Sequence, residues 1–284
     1  MLRGANVENW QWLWPDAEDK GQVIEFERAA IPVLTGEPGQ GWGANLIHLD
    51  FSSGPVNRGD EEYLAVLDEL VSLAKANGAY TLLSWRFSEP NNEPSAPDDA
   101  AEEALARLAE RYKGEPAAIY AVGSEPRSIT WSELKPRFTS MIDAIREVNP
   151  RALIAVPGTE WGRYVYHNLT DPIPRDNLVF VLSAFDSWDT IQFGDGYLPP
   201  YQLAEVAAVH PVILGGFGPI TGVATLDDLR SLLDFAEARG ISWTGWLFND
   251  KGCPCMLEKP WQDFEPTEYG EEIRSRLLAQ ATGS

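Results

Sequence analysis

The chain has 284 residues, with 22 Lys and Arg against 43 Asp and Glu, a net charge of −21. The length fits one large domain with a full core, and 44% hydrophobic residues exclude a disordered chain. So acidic a surface repels phosphate backbones and anionic lipid, which excludes nucleic-acid and membrane partners.

In chain order, a first strand is expected near residues 2–7, and "NLIHLDF" (45–51) is a second. Residues 61–77 follow as a helix, with Leu64, Leu67, Leu70, Val71 and Ala74 on one face and Gly78 as its stop. "AYTLLSWRF" (79–87) is the third strand. The Pro-rich stretch 88–99 is a long loop that rims a pocket or is simply solvated. A helix over 96–114 places acids at its start and bases near its end, as the helix dipole prefers. "AAIYAVGSEP" is a strand, and 131–148 a helix whose core face is Leu134, Phe138, Met141, Ile142 and Ile145. "ALIAVPG", "LVFVLSAF", "PVILGG" and "ISWTGWLF" complete the strands, with a helix at 226–239 ending on Gly240.

Buried strands alternating with helices imply a parallel sheet. Eight of them predict an α/β protein with a single (β/α)8 TIM barrel across residues 1–284, its site at the carboxyl ends of the strands. No internal boundary breaks the pattern, and a monomer is expected. No run reaches the roughly 18 apolar residues of a membrane span. "MLRGANVENW" lacks the features of a signal peptide, so a soluble chain is expected. No cofactor is expected, because there is no Gly-rich phosphate loop after a strand. Cys253 and Cys255 in "GCPC" read as two thiols in a loop, since one intervening Pro makes a disulfide awkward; without a nearby His they make no zinc site, so no metal is expected.

Several stretches resemble glycoside hydrolase family 5, the cellulase-like retaining β-glycanases. "LRGANVENW" resembles that family's opening strand, "YAVGSEP" its acid/base strand and "LSAFDSW" its His-Xaa-Tyr strand. "PVILGGFG" resembles the nucleophile strand, "WTGWLFND" the strand bearing a sugar-stacking Trp, and "EPTEYGEEI" the carboxyl-terminal helix. The resemblance runs through nearly the whole chain in order, and the parent family is often secreted.

The resemblance puts the acid/base at Glu125 and the stacking ring at Trp246. Elsewhere the chain departs from the pattern. The Asn before the acid/base is Ser124, the His and Tyr of the sixth strand are Ser183 and Phe185, and the nucleophile slot is Gly216. The family's Arg and His of the second and third strands fall on His48 and Arg86. Retaining hydrolysis needs two carboxyls roughly 5 Å apart, so ordinary glycosidase activity is expected to be absent. Asp50 or Glu160 is a candidate second carboxylate, although neither matches the family position.

Each residue has a plainer reading. Asp50 lies two residues after His48, on the same strand face, and the two make either a structural pair or part of the chemistry. Arg86 neutralises a carboxylate such as Glu125 or Asp50. A Ser–His triad built from Ser183 or Ser124 with His48 lacks the G-x-S-x-G elbow, and the small side chains read as space. Trp10, Trp12, Trp14, Trp85, Trp161 and Trp246 lie near predicted strand ends, as pocket walls or as packing. His167 and His210 read as surface or packing residues.

Three functions fit. The first is a repurposed or engineered catalyst: smaller, less polar residues at the inward positions leave one carboxylate among aromatic rings. That suits general-base proton abstraction from a small aromatic substrate, as in a Kemp elimination, with Glu125 as base, Asp50 as second choice, and Ser183 or Arg86 as donor. The second is a glycan-binding pseudoenzyme, and the third a β-glycanase disabled at its nucleophile.

Overall fold

A computed structural model describes residues 1–7, 20–85, 96–185, 200–221, 223–251 and 254–282. Trp10, Trp12, Trp14, Arg86, most of the Pro-rich loop and Cys253 lie outside these residues.

Eight parallel strands close into a barrel in sequential order: β1 (Arg3–Val7), β2 (Leu46–Phe51), β3 (Tyr80–Trp85), β4 (Ala118–Ala121), β5 (Leu153–Pro157), β6 (Leu178–Ala184), β7 (Val212–Phe217) and β8 (Ser242–Phe248). The expected (β/α)8 barrel is what the chain forms. Helices α1 (Lys20–Thr35), α2 (Ser53–Arg58), α3 (Glu61–Ala76), α4 (Asp99–Arg111), α5 (Trp131–Val148), α6 (His167–Thr170), α7 (Pro200–Val209), α8 (Leu226–Glu237) and α9 (Glu268–Thr282) are the described helices. Sequence periodicity passed over α1 and α7. In α1 an internal Pro32 interrupts the helical pattern, and α7 is a short, mostly apolar helix without a polar face to mark its period.

Strand alternation sorts side chains into two layers. Leu46, Leu82, Ile119, Ala121, Ala155, Val179, Val181 and Ile213 fill the barrel interior. Their neighbours Ile47, Leu49, Phe51, Leu83, Trp85, Tyr120, Ile154, Phe180 and Leu214 pack outward beneath the helices. Local chemistry fixes the helix starts. Asp60 and Asp98 accept the amides of Tyr63 and Ala101, while Thr130 with Glu133 and Thr225 with Asp228 form capping boxes.

The β6–β7 pairing contains a bulge: Leu182 pairs with Leu214, but Ser183 pairs with Gly216. The extra residue, Gly215, has no room for a side chain. A Cβ there would lie 2.3 Å from Val181 Cγ1. The bulge turns both Gly215 and Gly216 toward the barrel mouth, a common device beside functional sites.

Cys255 is disulfide-bonded, which corrects the expectation of a free thiol. Bridging is decided by Cα separation and Cβ direction, which residue spacing does not fix. The segment bearing Cys255 turns back against the end of β8, with Leu247 N donating to Pro254 O at 2.9 Å and Met256 N to Leu247 O at 3.0 Å. No described helix is long and apolar enough to cross a membrane.

Candidate active site

The carboxyl ends of the strands surround a cleft with an inner and an outer chamber. Asn6, His48, Ser84, Ser124, Ser183, Gly215 and Gly216 line the inner one. Trp161, Arg163, Ile220 and Pro254 line the outer one. Glu125, Phe185 and Trp246 border both. The inner chamber has a free volume of about 20 Å³, the outer about 300 Å³.

Glu125 stands on the loop after β4, half-buried, ahead of the buried Pro126. Ser183 at the end of β6 donates its hydroxyl to Glu125 Oε1 at 3.3 Å. Among the described residues, Glu125 is the carboxylate that lines the cleft.

The floor is knitted around one carbonyl. Gly215 O accepts from Asn6 Nδ2, His48 Nδ1 and Thr244 Oγ1, each at 3.0 Å. A carbonyl only accepts, so Nδ1 of His48 carries the proton in this contact. Its other nitrogen, Nε2, lies 3.4 Å from Asp50 Oδ1. Nε2 faces Asp50 without completing a hydrogen bond, and the hydrogen bond the ring does make is to Gly215 O, not to Ser183 or Ser124. Asp50 faces inward as alternation requires and pairs with Ser84 across the β2–β3 ladder, but it is 2% exposed and lines neither chamber.

Beside Gly216 the space is occupied. A Cβ built on Gly216 would lie 3.4 Å from Cε2 and Cζ of Phe185. The nucleophile slot assigned by resemblance is thus packed by a ring rather than left open.

The outer wall is a turn after β5. Glu160, Trp161 and Gly162 have successive φ of 51°, 63° and 74°. Non-glycine residues rarely adopt this region, and such strain persists only where surroundings hold it. Here Trp161 N donates to Pro126 O at 2.9 Å, Ser183 N donates to Gly162 O at 2.9 Å, and Thr159 pairs with Tyr164. Arg127, 1% exposed, stacks its guanidinium 4.2 Å from the Trp161 ring centre. The turn thereby presents Trp161 to the cleft, 43% exposed. Glu160 is exposed on the rim and does not line either chamber.

The structure brings together Glu125, Ser124, Ser183, Phe185, His48, Gly216, Trp161 and Trp246. It does not bring Trp85 to the cleft: Trp85 alternates with Ser84, so it points outward into the layer under the helices. His167 stacks on Trp131 with ring centres 5.1 Å apart, and His210 packs edge-on against Phe180, as packing residues. Burial pushes the His167 imidazole pKa below its ordinary value, against the opposing pull of Asp171. Sequence reading missed Asn6, Ser84, Arg127 and Arg163. Asn6 and Ser84 carried a findable signal, since each is an inward polar residue at a strand's carboxyl end. No metal-holding group of His, Cys, Asp and Glu occurs among the described residues.

Residues 38–252 match the family model described as cellulase, glycosyl hydrolase family 5. The chain is 23% identical to endoglucanase E-5 of Thermobifida fusca across 98% of its own length and 60% of the relative's. It is 30% identical to endoglucanase Z of Dickeya dadantii across 74% of its own length and 48% of the relative's. The chain therefore spans roughly half to three-fifths of these relatives. Among solved structures, the T. fusca endoglucanase catalytic domain superposes with a TM-score of 0.77 at 20% identity, covering 98% of this chain and 91% of that one. A β-glucanase of Saccharophagus degradans bound to cellotetraose gives 0.80 at 20% identity, covering 99% and 88%. At such identity the structural likeness is one of fold.

Proposed function

The chain belongs to the cellulase family, glycosyl hydrolase family 5, and from that premise we propose that it binds β-glycan chains in the barrel mouth without retaining hydrolysis. The carrying observation is that Glu125 is the carboxylate lining the cleft among the described residues, with Phe185 packed beside Gly216. Retaining cleavage needs a second carboxyl roughly 5 Å from the first to attack the sugar carbon. Asp50 and Glu160 line neither chamber. Trp161 and Trp246 offer rings against which the C–H faces of a sugar pack, and Glu125 and Arg163 offer hydrogen bonds at the same wall.

The test pairs calorimetric titration of cello-oligosaccharides with an assay on aryl β-cellobiosides. Saturable binding without turnover is the expected result. Turnover abolished by Glu125→Gln overturns it.

A second reading is general-base proton abstraction by Glu125 from a flat aromatic substrate, as in a Kemp elimination. The rings of Phe185 and Trp246 on either chamber beside Glu125 favour it. Selection and design would reach that chemistry alike. A rate with a nitrobenzisoxazole that rises through one ionisation and falls with Glu125→Gln supports it over glycan binding.

A further inference from the structure

We propose that Phe185 sets how much of a glycan the cleft accepts: its ring shuts the inner chamber and confines a bound sugar chain to the outer one. This rests on the glycan-binding reading and names the residue that limits it.

The two chambers differ in capacity. The outer one, at about 300 Å³, is of a size that holds a small ligand. The inner one, at about 20 Å³, holds a single water. Yet the inner wall carries the polar side chains Asn6, His48, Ser84, Ser124 and Ser183. Hydroxyl-bearing ligands suit such a wall, but it has no room to receive one.

Phe185 is the element that takes up the room. It follows Ser183 by two residues and so faces the mouth with it. It borders both chambers, and its ring edge lies in contact distance of the point where a side chain on Gly216 would begin. A phenyl ring makes no hydrogen bond to a sugar hydroxyl, so in this position it excludes without recognising. Asn6 and His48 beneath are tied to Gly215 O and Thr244 does the same, so the floor is held in place. Phe185 is therefore the side chain whose truncation joins the chambers.

The experiment compares the wild type with Phe185→Ala, Phe185→Leu and Phe185→Tyr. Binding of glucose and of cello-oligosaccharides of rising length is measured by calorimetry. A second arm needs no glycan: the thiol introduced by Gly216→Cys is labelled with a methanethiosulfonate reagent, with and without Phe185→Ala. No described cysteine is free to compete, since Cys255 is disulfide-bonded. The expected result is labelling at least about tenfold faster once the ring is removed, because packing density leaves a covered thiol no approach. The chain length at which affinity levels off then moves up by one sugar in Phe185→Ala, with a gain of about fivefold or more for the longer chain, and Phe185→Tyr keeps the wild-type pattern. Unchanged labelling overturns the partition. Faster labelling with an unmoved plateau overturns the limit on length while glycan binding stands. Faster labelling with no sugar bound by any variant overturns the glycan-binding reading and the limit built on it, leaving the ring as a plain plug. Phe185→Leu supplies the answer if Phe185→Ala does not fold.

Discussion

Ser183 Oγ lies 3.3 Å from Glu125 Oε1, joining the end of β6 to the loop after β4 across the mouth of the barrel. The hydroxyl holds the one cleft carboxylate among the described residues toward the inner chamber. Ser183→Ala removes that donor and leaves an acid that water can still reach, so stability changes by no more than about 1 kcal/mol. Glu125→Gln keeps the shape but exchanges an acceptor for a mixed group. Glycan affinity is expected to fall several-fold in Glu125→Gln and less in Ser183→Ala, read by titration with cello-oligosaccharides.

Gly216 is expected to tolerate only small additions. Gly216→Ala places its Cβ at ordinary contact from Phe185, whereas Gly216→Glu must push that ring aside. Overpacking of this kind costs about 1–3 kcal/mol. Chemical denaturation is expected to show Gly216→Ala close to wild type and Gly216→Glu less stable. Gly216→Glu alone is not expected to give turnover of aryl β-cellobiosides.

Trp161 is held by a strained turn and by Arg127 rather than by core burial. Trp161→Ala is therefore expected to reduce glycan affinity by about tenfold, with a near-normal melting temperature. A large loss of stability with unchanged affinity would make Trp161 a packing residue.

Gly162 at φ +74° also has no space: a Cβ there would lie 3.0 Å from Ser183 Oγ. Gly162→Ala carries both a backbone penalty and a clash, about 1 kcal/mol or more in sum. The displaced Ser183 should also loosen its bond to Glu125, so affinity and stability fall together.

His167 is half-buried against Trp131 and Tyr164, with Nε2 3.2 Å from Thr159 Oγ1. Burial lowers its pKa from the ordinary 6.5, so the unfolded chain binds a proton more readily than the folded one. Its stability contribution is intact above pH 6.5 and is lost as pH falls below that value toward the folded pKa. Melting temperatures of wild type and His167→Gln, measured across this window, should converge on acidification. Parallel curves would remove His167 from the acid response.

How the site came to be readable follows from the kinds of information involved. The barrel was legible because alternating apolar strands and amphipathic helices repeat along the chain, and burial of both sheet faces leaves few other architectures. The ends of β4, β6, β7 and β8 were legible as well, since inward positions follow from alternation once the strands are placed. Trp85 shows the limit of position alone: it sits at a strand end, but its parity sends it into the layer under the helices.

The barrel, its strand order and the residue types at its mouth could be read along the chain, because they depend on local periodicity. What those residues do together follows from how distant segments meet. The register shift that turns Gly215 and Gly216 into the mouth, the ring of Phe185 beside Gly216, the burial of Asp50 and the bridge at Cys255 all arise from contacts between segments far apart in the chain or from local backbone direction. Such relations are set by close packing in three dimensions, which residue spacing along one strand does not encode.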